Sequence, residues 1–300
     1  MSPSIDQKLF DAEFLRRLPG LALQARQMAR QRQNAERRSP HRGANVEFAE
    51  YRPFQSGDDW KHIDWNAYAR WRTLVLKLYV EEKDLPVHLL LDNTASMDWG
   101  APRKFDQARR LAAGLAYLAL DRHDRTGVVP LAGGESKASG TLRGMGVFHG
   151  LLGRLSAYRC RDSAEALETL SAQWLRPRPE TGLVVVLSDL FGNDWNDAVQ
   201  MLDRLRYARH EVVVVQITDV TERAVNDVGE YVLKAREGDR SRLVTIDQRV
   251  CRAYAAKVRD YEKKIDQFCR SRSIPLLPVD TSEEVISILS VALRQKGVVG

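Results

Sequence analysis

Two short segments hold the side chains best suited to chemistry. Residues 92–96 read Asp-Asn-Thr-Ala-Ser, which puts a carboxylate at Asp92 and hydroxyls two and four positions on, at Thr94 and Ser96. Residues 188–189 read Ser-Asp, and Asp189 is a second acid in the same setting: each acid ends a mostly apolar run, 86–91 or 183–187. Carboxylates and hydroxyls are hard oxygen donors. They suit a small dication, Mg2+ or Mn2+; magnesium takes six oxygens at about 2.0–2.1 Å and keeps several waters. The carboxylate binds directly or through a water, and one position stays open for an oxygen from a partner. Two acids at neighbouring strand ends repel each other unless a cation lies near them. The plainer reading is that Asp92 and Thr94 cap the helix that follows.

Positioning those acids requires strands that stop beside one another. The strongest buried strand is 181–189, which includes Val184, Val185 and Val186 in an unbroken apolar run. Further strands fit 86–92, 127–131, 211–218 and 274–279, and a hairpin fits 229–245. Helical spacing covers 103–121, 147–155, 164–174, 195–207, 247–270 and 282–294. Apolar runs alternating with helices predict an α/β fold, a doubly wound and mostly parallel sheet covered on both faces. In such sheets ligands sit beyond the carboxyl ends of the strands, where the strand order reverses, so the residues after Leu91 and Leu187 are the expected site.

Upstream, residues 6–37 read as a helix with a partial stripe of Leu9, Phe10, Phe14, Leu15, Leu18, Leu21, Leu23 and Met28, interrupted at Pro19-Gly20. Residues 39–59 are rich in turn formers, and 73–81 alternate with period two, as a strand with one polar-leaning face does. The expected organisation is an N-terminal segment, 1–80, packing on a domain of 81–300.

A chain of 300 residues can bury a full core. Its 44% hydrophobic and 29% charged content excludes a collagen-like, wholly disordered or disulfide-scaffold class. Cys160, Cys251 and Cys269 are widely spaced and form no CxxC pair, which argues against a zinc site and for a reducing compartment. No apolar stretch approaches the ~20 residues of a membrane span. Asp6, Asp11 and Glu13 occupy the place of a signal peptide's apolar region, so a cytoplasmic location is expected. The net charge of +6 is modest and dispersed. Its densest basic stretch, Arg26 to Arg42, lacks the aromatics that stack on bases and reads as a solvated helix face more than a nucleic-acid arm.

Enzyme motifs are missing from the expected site. A phosphoryl-transfer Asp-x-Asp pattern of the haloacid dehalogenase type needs an acid where Thr94 stands. There is no Gly-x-x-x-x-Gly-Lys-[Ser/Thr] loop, and no Gly-x-Ser-x-Gly elbow. The six histidines form no metal-spaced pair. A non-enzymatic role is expected. The alternatives are a metal-dependent hydrolase, with Asp98 or Asp194 as general base, and a nucleic-acid-associated protein using residues 26–42.

The Asp92–Thr94–Ser96 pattern resembles the metal-ion-dependent adhesion site of von Willebrand factor A domains, Asp-x-Ser-x-Ser, with Thr94 keeping the hydroxyl of the first Ser. The resemblance implies that Asp189 is the acid after the fourth strand and that Ser163 supplies the remaining loop ligand, with Asp162 as its alternative.

A second signature spans residues 43–70. It contains Glu47-Phe48, Tyr51-Arg52, Gly57-Asp58-Asp59-Trp60 and Ile63-Asp64-Trp65. It resembles the hallmark of the domain of unknown function 58 family over about residues 40–245. That resemblance implies a von Willebrand A-like domain and a MoxR-type AAA+ ATPase as protein partner, in metal-dependent assembly or chaperone-like maturation. Within the hallmark, Gly57 permits a tight turn, and Asp58, Asp59 and Asp64 are placed to pair with Arg52, Arg70 or backbone donors. Trp60, Ile63, Trp65 and Tyr68 can bury against the sheet edge. Either this is a structural subdomain, or Arg52, Asp58, Asp59, Trp60, Asp64 and Trp65 form a partner-binding surface, since aromatic and Arg side chains dominate binding hot spots.

Overall fold

Val- and Leu-rich runs bury best when paired on both edges and covered on both faces, and here they assemble into one twisted sheet. A computed structural model of the chain describes residues 5–38, 51–55, 58–60, 63–77, 85–133, 140–162, 165–191, 195–225, 228–234 and 241–294. Its elements, in chain order, are α1 (Ala12–Arg38), β1 (Tyr51–Pro53), α2 (Trp65–Trp71), β2 (Val75–Lys77), β3 (Pro86–Leu91), α3 (Lys104–Asp121), β4 (Arg125–Pro130) and β5 (Leu142–Arg143). They continue with α4 (Phe148–Ala157), α5 (Leu167–Leu175), β6 (Leu183–Ser188), α6 (Trp195–Tyr207), β7 (Glu211–Thr218) and α7 (Val220–Arg223). The last are β8 (Gly229–Lys234), β9 (Ser241–Ile246), α8 (Gln248–Ser271), β10 (Leu276–Asp280) and α9 (Val285–Arg294). The chain divides into two units, residues 1–26 with 85–300, and residues 27–84.

The larger unit carries a six-stranded sheet in the order β10-β7-β6-β3-β4-β5. Every pairing is parallel except that of β5, a two-residue antiparallel edge that the sequence reading did not foresee. At the opposite edge, β10 carries the exposed Pro278. The chain leaves β3 toward β4 on one side and later returns as β6 on the other. The order therefore reverses between β3 and β6, where Leu91 lies opposite Leu187. All six residues of both strands are buried.

Alternation sends Leu90, Val184, Val186, Val212 and Val214 to one face, where they pack with Leu167, Leu170, Trp174, Met201, Leu205 and Ile265. The opposite face is covered by α3, which crosses β3, β4, β6 and β7 and touches α4 and α9. Asp11 starts α1 by accepting the Phe14 N–H at 2.7 Å. The helix then runs straight through Pro19. Phe14, Leu18, Leu21 and Ala22 are buried while Pro19 and Gly20 face solvent, so water can serve the carbonyl that proline leaves without a donor.

In the smaller unit β1 and β2 form an antiparallel ribbon, with Arg52 opposite Leu76. The strand expected over 73–81 is described only as β2, because residues 78–84 lie outside the described residues, as do 39–50 and Gly57.

At the amino end of the central strands, His88, Trp174 and His210 pack together, with ring centroids 5.2–5.7 Å apart. His88 Nε2 donates to the Glu180 carbonyl at 2.8 Å, and His210 Nδ1 accepts the Gly182 N–H at 3.3 Å. Burial pushes both imidazoles below their ordinary value, and His88 lowers His210 further. The unfolded chain takes up protons near pH 6.5 that the folded chain refuses, so this cluster contributes stability above about pH 6.5 and loses it as pH falls. The urea midpoint should therefore fall between pH 7.5 and 5.5. His88→Gln, which keeps a donor for Glu180, should flatten that slope; an unchanged slope would clear the imidazoles of responsibility.

Candidate functional site at the strand ends

Asp92 is the first residue past β3, and its N–H still reaches the Leu187 carbonyl at 2.9 Å, which fixes it at the switch between β3 and β6. Its Oδ1 accepts the Thr94 N–H at 2.9 Å and the Thr94 hydroxyl at 2.7 Å; its Oδ2 accepts the Ser188 hydroxyl at 2.5 Å. Thr94 Oγ1 lies 3.1 Å from Ser96 Oγ. The three oxygens of the Asp-x-Thr-x-Ser segment thus converge. They cap no α-helix: the chain passes through a short 3-10 turn, Ala95–Met97, which Thr94 flanks without a side-chain cap bond, and α3 begins only at Lys104. Asn93 braces the segment from behind. It accepts the Ala132 N–H at 2.7 Å and donates to the carbonyls of Ala132 and Arg159 at 3.0 and 3.2 Å.

Asp189, one residue past β6, is fully buried. Its Oδ1 accepts the Phe191 N–H at 2.9 Å, and its Oδ2 accepts the Lys104 ammonium at 2.6 Å. Lys104 is itself wholly buried and also donates to Glu222 Oε1 at 2.5 Å. Burial alone depresses a lysine; Asp189 and Glu222 outweigh it and raise Lys104, so the ammonium stays charged. Burial, and next the charge of Asp189, push Asp92 up to about 6 against the pull of its hydroxyl and amide donors. The repulsion between the strand-end acids is thus balanced in part by a cation built into the chain.

Lys104 was absent from the sequence-derived site, yet it sits four residues before Ala108 and seven before Leu111, on the apolar stripe of α3. A lysine on a buried stripe needs partners, and that is the signal that marks it. A second knot was also missed. Asp219, just past β7, accepts the Thr221 N–H at 2.9 Å and the Thr221 and Thr281 hydroxyls at 2.5 Å each. It repeats the arrangement of Asp92 with Thr94 and Ser188 at the ends of β7 and β10, and its sequence trace is the same Asp-x-Thr after a strand.

Ser163 lies outside the described residues. Its alternative Asp162 is exposed and follows Arg161, which pairs with Thr94 and donates its N–H to the Asn93 carbonyl at 2.7 Å. Of the bases a hydrolase would need, Asp98 pairs with Arg103 at 3.2 Å, and Asp194 lies outside the described residues. Burial and the nearby Asp98 and Asp92 push the Cys160 thiol up to about 12, which disfavours its thiolate. Among the described residues, no group of three or more His, Cys, Asp or Glu gathers as a metal cluster. Hydroxyls and water would have to complete any shell.

In the hallmark segment, Arg52 pairs with Asp58 at 2.5 Å, and Asp58 also accepts the Gln55 N–H at 2.8 Å. Those bonds, the backbone one first, hold Asp58 below the usual carboxylate range. Asp64 caps α2 through the N–H groups of Asn66 and Ala67 at 2.9 and 3.1 Å. Asp59 is exposed. Of the four side chains named for burial, Ile63 is buried and Tyr68 half-buried, whereas Trp60 and Trp65 are 65% and 59% exposed. A helix of seven residues has one inward stripe, and Ala67 takes it. Arg26, at the start of the basic stretch, is bound to Asp121 through Nε at 2.8 Å.

No helix among the described residues is long and apolar enough to cross a membrane. Among curated proteins, the uncharacterized proteins Rv1480 of Mycobacterium tuberculosis and Mb1516 of Mycobacterium bovis are each 26% identical over 266 residues, 85% of this chain and 81% of theirs. Among solved structures, the conserved hypothetical protein BatB of Bacteroides thetaiotaomicron aligns with a TM-score of 0.40 at 15% identity, covering 69% of this chain and 96% of that one. An aerotolerance-related membrane protein of Bacteroides fragilis aligns with a TM-score of 0.39 at 14% identity, covering 70% and 98%. The family model described as protein of unknown function DUF58 matches residues 50–264, well over half of the chain, and the chain belongs to that family.

Proposed function

We propose that this protein is a non-enzymatic, Mg2+-dependent protein-interaction module of von Willebrand factor A-like architecture that works with a MoxR-type AAA+ ATPase. The observation that carries the metal reading is the convergence of Asp92, Thr94 and Ser96. Their oxygens stand 2.7 and 3.1 Å apart in sequence, close to the spacing of about 2.9 Å between adjacent ligands of an octahedral Mg2+. Asp92, Thr94 and Ser96 would hold the ion. Asp189, whose two oxygens are engaged by Phe191 and Lys104, would act through water. The bound ion would supply a Lewis-acidic position for a partner's carboxylate. The sheet order, with its reversal at β3 and β6, supports the architecture. The partner class rests on the hallmark resemblance.

Calorimetry with MgCl2 or MnCl2 should register one saturable binding event that Asp92→Ala abolishes. Capture of a purified cognate MoxR-type ATPase should be lost in EDTA and restored by Mg2+. Heat that persists in Asp92→Ala, or capture indifferent to EDTA, would overturn the reading.

A further inference from the structure

Next to the Asp92 centre, the same rim opens into a cavity of about 480 Å3, within the roughly 300–1,000 Å3 of small-ligand sites. Its walls come from the loop after β3 and from the ends of β7 and β10, with Asp98, Trp99, Arg103, Asp219, Val220 and Thr281 among its lining. Trp99 is 42% exposed, and its Nε1 donates to Thr221 Oγ1 at 2.9 Å, so the ring is held as a fixed wall. Gly100 lets the loop lie against Asp219. Its φ is +93°, and a Cβ there would fall 2.5 Å from Asp219 Oδ2.

The charges in this cavity are unequal. Burial works to raise Asp219, but the Thr221 and Thr281 donors outweigh it and keep the carboxylate ionised. Arg103 holds Asp106 with two nitrogens at 3.1 and 3.4 Å and spares one for Asp98 at 3.2 Å. An arriving cation can therefore take Asp98 without stranding Arg103. Asp98 and Asp219 against Arg103 leave the lining negative beside an aromatic face. Asp219 is buried with both oxygens engaged, so Asp98 is the carboxylate that a cationic side chain with an apolar stem would meet.

We infer that this cavity binds the guanidinium or alkylammonium group of a basic segment of a protein partner, arginine in preference to lysine because its planar head both stacks on Trp99 and forks onto a carboxylate. The volume leaves room for the flanking backbone. The inference rests on the adaptor reading for the source of that segment, whose carboxylate would meet the Asp92 centre while its base enters the cavity.

The test uses the full chain, 15N-labelled and kept in EDTA, with the Trp99 indole signal assigned through Trp99→Phe. Capped arginine amide should shift that signal saturably. The neutral citrulline counterpart should bind at least fivefold more weakly, and capped glutamate should leave the signal in place. Asp98→Asn, at a half-buried position, should weaken arginine binding severalfold while leaving the Mg2+ heat intact. No shift with arginine, or equal shifts with citrulline, overturns the cavity proposal. Loss of the Mg2+ heat with the arginine shift preserved overturns only the Asp92 reading.

Discussion

Lys104→Met should lower the thermal midpoint more than any other single substitution at the strand ends. The ammonium is wholly buried and lies 2.6 Å from Asp189 and 2.5 Å from Glu222. Removing it leaves a fully buried carboxylate and a largely buried one without their counter-charge, a change that costs about 3–5 kcal/mol. For a chain of this size that corresponds to a fall of roughly 5–10 °C in Tm. Methionine keeps the packing against Phe191, over whose ring the ammonium sits at 5.5 Å, so the loss isolates the charge. Mg2+ should raise the Tm of the variant more than that of the native chain, because an external cation takes up part of the vacated role. Saturation at a hundred times Kd is worth about 2.7 kcal/mol. A variant as stable as the native chain would show that the buried ion network carries no stability. A variant that falls yet ignores Mg2+ would count against the metal centre.

Asp92→Asn should have the opposite sign in metal-free buffer. The carboxyl of Asp92 is pushed up to about 6, whereas an unfolded aspartate titrates near 3.9. The folded chain therefore holds the proton through the interval in which the unfolded chain has released it. The stability this brings is complete below about pH 3.9 and is lost as pH rises through about 6; two units correspond to about 3 kcal/mol. Asparagine keeps an acceptor for Thr94 but disturbs the Ser188 hydroxyl. In EDTA at pH 7.5 the variant should gain about 1–2 kcal/mol, less than the full electrostatic figure because that hydroxyl must reorient. The gain should shrink toward pH 5, where the native Asp92 is protonated. In millimolar Mg2+ the ranking should reverse, since only the native chain binds the ion. Urea titrations at pH 5.0 and 7.5, each with and without Mg2+, read all four values; a variant less stable at pH 7.5 without metal would refute the raised titration of Asp92. The His88 and His210 pair pulls the native chain the other way over the same interval, so the comparison must be made between variants at each pH.

The strands around the site were legible because burial on both faces leaves an unambiguous mark: 183–187 is apolar throughout and 212–215 is an unbroken run of valine. α6 was legible from its amphipathic spacing. Asp92 and Asp189 followed from the rule that ligand groups stand just past strand ends. β5 was not legible, because two residues make no pattern and its pairing is set by its neighbour β4. Lys104 was hidden by its residue type, since a charge at the start of a helix reads as solvated until the sheet behind it is known. For Trp60 and Trp65 the residue type left burial and an exposed surface both open, and the structure shows them exposed. Trp65 faces out because the short α2 turns Ala67 inward, and Trp60 lies before that helix. Pro19 could be carried inside α1 because only its solvent side was affected.

The two margins of the sheet bear on how any other chain could join it. Annexing a strand requires a long, regular border with unspent amide and carbonyl groups. β5 gives a border of two residues, and β10 sets a proline in the other. Lateral zippering, whether with a client or with another copy, is thereby discouraged. A partner of the kind proposed above would instead have to meet the rim beyond the strands' carboxyl ends, where Asp92, Asp189 and Asp219 stand among hydroxyl and amide donors.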